Sequence, residues 1–285
     1  MLFADFAEKF LEVSETVGNS PGELAQKKMC LANHLLPYFG GMDMEALHIP
    51  EVRAYTTLKR EQGYKQNTIN GHLGIFSRYL ALAREERALL ADKFTVHISR
   101  KDCTEARWLS DAERDGLLRA AAIEGGELEA MVRFVLNTGL RIGEVQALQR
   151  SDIDPQQKFV TVRASYDRVG RTVKATKNGV VRSVPLSPSA RAALAAIPAH
   201  GLSTVFTLTY HQAYSGLERI AGYAKLPRVG WHTLRHTFAT MLIGNGAPLL
   251  ITSRLLGHKS IAMTEKYTHL SPTHAGSAMD CMPSF

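Results

Sequence analysis

The stretch from Trp231 to Leu270, WHTLRHTFATMLIGNGAPLLITSRLLGHKSIAMTEKYTHL, restricts what this chain can fold into more than any other part of it. Leu234, Phe238, Met241 and Leu242 recur at the spacing of one apolar helix face. Gly244-Asn245-Gly246 breaks that helix. Pro248 suits the first turn of a second helix, where its missing N–H would have no partner anyway. Gly257 suits the end of the second helix, and Ser260 can cap a third that carries Tyr267. Three short helices joined by tight turns leave little freedom in where their polar side chains point.

Several of those side chains are reactive. His232 and Arg235 are i, i+3 neighbours and share a helix face. His258 follows the glycine stop, and Tyr267 lies nine positions later. A guanidinium forks onto phosphate oxygens, an imidazole donates hydrogen bonds or moves protons, and a phenol oxygen is a covalent nucleophile. Together they describe phosphoryl transfer through a phosphotyrosine, with no metal and no cofactor required.

The order His-Thr-Leu-Arg-His, Leu-Leu-Gly-His, Tyr-Thr-His resembles the second half of the tyrosine recombinase (phage integrase) family. That resemblance implies an upstream arginine in a Thr-Gly-Leu-Arg-x-Gly-Glu segment and a lysine on an intervening hairpin. Thr138 to Glu144 reads Thr-Gly-Leu-Arg-Ile-Gly-Glu, and Lys177 stands in a strand–turn–strand pattern. The match covers the C-terminal two-thirds of the chain.

Composition agrees with a polyanionic substrate. Of the net charge of +7, residues 1–95 carry −1 (11 Lys+Arg, 12 Asp+Glu) and residues 96–285 carry +8 (23 against 15). No run of about eighteen apolar residues predicts a membrane span, and MLFADFAEKF lacks the pattern of a secretory signal. Three widely spaced cysteines argue against a disulfide framework or a zinc site and fit a reducing, cytoplasmic setting.

In chain order, Phe3, Phe6, Phe10, Val13 and Val17 predict a first amphipathic helix. Ser20-Pro21-Gly22-Glu23 reads as a capping box opening a second helix, which would bury Leu24, the stem of Lys28, Leu31 and Leu35 and stop near Pro37 and Gly40-Gly41. Pro50 starts a third helix through Val52, Tyr55 and Leu58. Asn67 caps a fourth, with Ile69, Leu73, Phe76 and Leu80 inward. By resemblance this bundle, residues 1–95, is the helical core-binding (SAM-like) DNA-binding domain. Its contacts with DNA would come from Lys65, Gln66, Asn67, Thr68, Asn70, His72 and Arg78, where backbone N–H groups at a helix start favour phosphate.

Residues 96–107 read as a linker, and 108–285 as the catalytic domain, mainly α with a small antiparallel sheet. Ser110 with Glu113 forms another capping box. A buried helix from Glu127 to Asn137, carrying Leu128, Met131, Val132, Val135 and Leu136, delivers the chain to Gly139, whose turn would aim Arg141; Glu144 is a supporting, orienting acid. Phe159–Val162 alternates like a strand. Val173–Lys177 and Val180–Val184 read as two more, joined by Asn178-Gly179. Residues Tyr166 to Arg171 extend the preceding turn, with Arg168 and Arg171 placed to meet the phosphate backbone. Lys174, of opposite strand parity, is the rival of Lys177. Ser187–Ile197 and His211–Ala224 are scaffold helices around a strand or buried segment at Thr204–Leu208, and His236 and His269 are structural.

The resemblance implies a cycle. Tyr267 attacks a phosphodiester of double-stranded DNA, giving a 3′-phosphotyrosine and a free 5′-hydroxyl. Arg141, Arg235 and His258 donate to the non-bridging oxygens, His232 takes the tyrosine proton, and Lys177 protonates the leaving oxygen. Four protomers on synapsed DNA, monomeric when free and aided in some systems by DNA-bending proteins, would pass through a Holliday junction. Two other readings use the same residues differently. A type IB topoisomerase would relax a single duplex, and a catalytically silent DNA-binding regulator would not need Tyr267.

Overall fold

The computed structural model describes residues 1–86, 107–175, 181–197, 201–258 and 260–265. The chain divides into two compact units, Met1–Thr104 and Glu105–Phe285. Among the described residues no helix is long and apolar enough to cross a membrane.

The first unit is a helical bundle. A 3₁₀ turn (Phe3–Phe6) leads into α1 (Ala7–Thr16), followed by α2 (Pro21–Cys30), α3 (Leu36–Phe39), α4 (Ile49–Glu61) and α5 (Gln66–Glu85). The Ser20 cap is as expected: its hydroxyl accepts from the Glu23 N–H while the Glu23 carboxylate accepts from the Ser20 N–H. Between α2 and α3 the helix does not stop. Pro37 has no N–H to give and its ring crowds the preceding turn, so residues Leu31–Leu35 widen into a π-helical turn and the helix runs on. Phe3, Phe10, Phe39, Tyr55, Phe76 and Tyr79 fill the centre, all fully buried or nearly so.

Expectations shift at six residues here. Val17 is exposed, because α1 ends at Thr16 and the chain turns away. Lys27, not Lys28, is buried: its Nζ donates to Ser14 Oγ at 2.9 Å and lies over the Phe10 ring. Leu24 is only half-buried. Asn67 stands inside the first turn of α5, and the cap position falls to Lys65, which makes no side-chain cap. Asn70 and His72 face the core rather than solvent. Asn70 accepts from Gln66, and His72 is hydrogen-bonded to the Tyr55 hydroxyl and stacked on His34. Lys65, Asn67, Thr68 and Arg78 remain exposed.

His72 makes this unit acid-sensitive. Burial first, then the neighbouring His34 and Lys59, pushes its imidazole from 6.5 down to about 4. Between those values the unfolded chain binds the proton more readily. The stabilisation is therefore complete above pH 6.5 and is lost as pH falls toward 4, by up to about 3 kcal/mol. Urea unfolding followed across this range should show the loss in the wild-type chain and a smaller one in His72→Gln. Equal slopes for the two would rule the assignment out.

The second unit opens with α6 (Asp111–Glu124), capped by Ser110 and Glu113 as the sequence indicates. The buried α7 (Gly126–Thr138) and the short α8 (Ile142–Ala147) follow. Four strands come next among the described residues: β1 (Phe159–Val162), β2 (Ala164–Asp167), β3 (Thr172–Ala175) and β4 (Arg182–Pro185). They form two antiparallel pairs. β1 pairs with β4, opposing Val160 to Val184, and β2 pairs with β3, opposing Ser165 to Lys174.

This pairing corrects the sequence reading, in which the segments of β3 and β4 pair with each other across Asn178-Gly179. Each instead takes a partner before Thr172, and β2 takes in Tyr166 and Asp167, which the sequence places in a turn. The reason is packing. β2 lies against α8 at Gly143, where a Cβ would sit 2.7 Å from Ser165 Oγ and 2.8 Å from the Tyr166 carbonyl oxygen. Only a residue without a side chain admits a strand that close. The Asn178-Gly179 turn itself lies outside the described residues.

Helices α9 (Pro188–Ala195) and α10 (Tyr210–Tyr223) are the expected scaffold, and Val205 and Phe206 between them are buried. The Glu127 carboxylate holds that segment through the N–H groups of Thr207 and Leu208. The unit closes with α11 (Trp231–Gly244), α12 (Leu249–Leu256) and α13 (Ala262–Glu265). Pro248 takes the cap of α12, one residue ahead of the first turn, and Gly257 ends that helix in the left-handed conformation at φ 63°.

Candidate active site

The site is assembled where the turn after α7 meets the end of α12. Gly139 adopts φ 63°, and a side chain there would run into the Phe238 ring and lie 3.0 Å from Leu256. Its lack of a Cβ serves two purposes: it allows the left-handed turn, and it lets α11 and α12 close over the turn. Arg141 then takes the cap position of α8 with extended backbone, so its side chain leaves the helix instead of following it.

Glu144 organises the arginines. It is 2% exposed, and its carboxylate accepts from the Arg141 N–H at 2.9 Å and from Arg141 Nη1 at 3.0 Å. The same carboxylate accepts from Arg182 Nη1 and Nη2 at 3.0 and 2.7 Å, a forked geometry. Burial alone would raise its pKa. The hydrogen bonds and charge of Arg182, then the N–H and charge of Arg141, outweigh burial and hold it below the usual glutamate range. It is ionised at neutral pH.

Backbone carbonyls do the rest. Arg235, 4% exposed, donates from Nη1 to the Gly139 carbonyl and from Nη2 to the Leu256 carbonyl, each at 2.6 Å. Arg141 reaches the same helix end through longer contacts, 3.5 Å to Leu256 O and 3.4 Å to Gly257 O. Arg182 Nε donates to Leu255 O at 2.8 Å. The carbonyls at a helix C-terminus lack intrahelical partners and carry partial negative charge, so α12 offers its end to three guanidiniums. A group arranged this way, with one carboxylate among the described residues, suits an anion.

The histidines complete it. His258 is half-buried, with Nδ1 2.7 Å from Thr264 Oγ1. Burial, then the charges of Arg235, Arg141, His236 and Arg182, lowers its pKa to about 4, so the ring is neutral at physiological pH. His232 sits at the rim, its side chain reaching solvent. Crowding by its surroundings, then Arg235 and Arg141, also lowers its pKa. Arg141, Glu144, His232, Arg235 and His258 therefore come together.

Other predicted residues lie elsewhere. Lys177, Tyr267 and His269, with most of the linker, lie outside the described residues. Lys174 pairs with Asp167 at 2.8 Å on the exposed β3. Arg168 and Arg171 are exposed in the turn between β2 and β3, Arg168 over the Tyr210 ring. Two site residues were not anticipated. Arg182 shares strand parity with the buried Val184, and an arginine on a core-facing position needs an acid, a usable signal. Thr264 offered none.

The phage integrase family model matches residues 107–274. The chain belongs to the phage integrase family. It is thus a tyrosine-type, site-specific DNA recombinase. The integrase of Escherichia phage 186 is 32% identical over 181 residues, a match covering 63% of this chain and 48% of that protein. The tyrosine recombinase XerC of Mycobacterium sp. (strain KMS) is 26% identical, with 81% of each chain covered. Among solved structures, the Tn1549 transposon integrase in complex with a circular intermediate DNA aligns at a TM-score of 0.81 and 19% identity. That alignment covers 99% of this chain and 100% of the other, and it shows a shared fold.

Proposed function

We propose that this recombinase cuts and rejoins duplex DNA through a 3′-phosphotyrosine on Tyr267. Arg141, Arg235 and His258 donate to the non-bridging oxygens of the scissile phosphate. His232 accepts the tyrosine proton, and Lys177 supplies one to the departing 5′-oxygen. The bond energy stays in the phosphotyrosine, so a 5′-hydroxyl from a partner strand reseals it without ATP. The observation that carries this reading is the convergence of Arg141 and Arg235 on the end of α12 beside the neutral His258. Donors fixed before substrate arrives need no reorganisation as charge builds on the phosphate, and removing one typically costs about 10²–10³ in rate.

The helical unit binds DNA through Lys65, Asn67, Thr68 and Arg78, and Arg168 and Arg171 contact phosphates from the catalytic unit. Four protomers act on synapsed DNA in the cytoplasm, where strands exchange through a Holliday junction. Exposure of all six side chains supports these assignments.

The test uses nicked or half-site DNA obtained by binding selection. Wild-type protein should give an SDS-stable, protease-sensitive protein–DNA adduct, and Tyr267→Phe should bind the same DNA and give none. Adduct formation by the phenylalanine variant would remove Tyr267 as the nucleophile. Relaxation of a single duplex without exchange between two sites would replace recombination with topoisomerase chemistry.

A further inference from the structure

His258 leaves the end of α12 with one ring nitrogen already engaged. The Oγ1 of Thr264, 2.7 Å from Nδ1, belongs to a fully buried residue. It is held there by the turn that opens α13, in which the N–H groups of Thr264 and Glu265 donate to the Ile261 carbonyl at 2.7 and 3.0 Å. The His258 N–H in turn donates to Ser253 O at 3.1 Å, which fixes the backbone from which the ring projects.

Two proton arrangements fit this pair. If Nδ1–H donates to Thr264, the hydroxyl proton is left in a dry site with no other acceptor among the described residues. Stranding a buried donor is unfavourable. If the Thr264 hydroxyl donates to Nδ1, both groups are satisfied and the ring proton resides on Nε2. A neutral imidazole has only one ring proton, so its location decides whether the outward nitrogen gives or accepts a hydrogen bond.

We propose that Thr264 is a positioning residue: its hydroxyl fixes His258 as the Nε2–H tautomer, so that the outward nitrogen is a donor to an anionic phosphate oxygen. The inference rests on the reading of His258 as a phosphate-facing group. An accepting Nε2 would meet the same oxygen with a lone pair and repel it. The hydroxyl thus selects the sign of the interaction without touching substrate.

Two measurements test it. In full-length protein labelled with ¹⁵N-histidine, two-bond ¹H–¹⁵N correlations at neutral pH, assigned by their loss in His258→Gln, should show the Nε2–H pattern with a hydrogen-bonded Nδ1. An Nδ1–H pattern in the wild type overturns the proposal whatever the variants do. In single-turnover cleavage of the nicked DNA, Thr264→Val keeps the side-chain shape and removes the donor. It should slow adduct formation about ten- to a hundredfold, less than the loss of a donor outright, while DNA affinity changes by no more than about twofold. Thr264→Ser should restore the rate and the Nδ1 shift. Wild-type cleavage by Thr264→Val with slow cleavage by His258→Gln overturns the tautomer assignment alone. Wild-type cleavage by His258→Gln removes the phosphate reading on which it stands.

Discussion

Glu144→Gln should destabilise the catalytic unit by about 3–5 kcal/mol, the usual cost of removing one partner from a buried ion pair. The amide keeps the shape of the carboxylate but not its charge. One of its two polar groups is an NH₂ that would face a guanidinium. Arg182, whose side chain is 9% exposed, would then hold a positive charge with its carboxylate gone. The amide oxygen can keep only one of the two contacts the carboxylate makes with Arg141, so that arginine would lose either its side-chain contact or the acceptor of its N–H. Cleavage should fall along with stability, because the fork of Arg141 is no longer aimed. Urea unfolding monitored on the full chain, with single-turnover adduct formation at a temperature where the variant remains folded, separates the two effects. A variant as stable as the wild type would mean that solvent already screens this pair, contrary to its burial.

Gly139→Ala carries the second large effect. A Cβ at φ 63° costs about 1–2 kcal/mol by itself. Here it also enters the space of the Phe238 ring and approaches Leu256, and overpacking a tight core adds about 1–3 kcal/mol. The Phe238 ring cannot swing aside freely, since it packs with Ala239, Ile243 and Leu256 in the small core between α11 and α12. Displacing the turn would also pull the Gly139 carbonyl away from Arg235. A lower thermal midpoint together with reduced cleavage is expected. Gly63→Ala is the control: it too ends a helix with positive φ but meets nothing within 4 Å, so it should show the backbone cost alone. Equal losses at the two positions would show that the contact with Phe238 relaxes at no cost.

Much of the site was legible because its residues sit at helix ends, where local chemistry is strongest. Gly257 reads as a helix end and Gly139 as a sharp turn, and both glycines adopt a positive φ of 63°. The spacing of His232 and Arg235 placed them together, although burial separates their roles, Arg235 inside and His232 at the rim. The strands were harder. Asn178-Gly179 is a strong local hairpin signal, yet β3 pairs with β2, which packs beside Gly143, and β4 pairs with β1, and no local pattern reports either partner. Lys27 and Lys28 fit the periodicity of α2 almost equally well. The choice fell to a hydroxyl and a ring on α1, Ser14 and Phe10. His72 read as a surface donor because histidine at a helix start is often exposed, but Tyr55 and His34 claim it. In each case the missing information was the identity of a neighbour distant in the chain.

That distance has a consequence for the timing of synthesis. The carbonyls that hold Arg141 lie 115 and 116 residues further along the chain, and Arg235 must reach 96 residues back to Gly139. A ribosome that has made the first unit, α7 and the strands has made a protein able to fold in part, with Arg141 in place but its acceptors not yet emerged. The charge cluster takes shape only when the end of α12 leaves the exit tunnel. A nascent chain, or one cut short before Leu256, therefore lacks the carbonyls that hold these guanidiniums, and the cluster stays unassembled until α12 has been made.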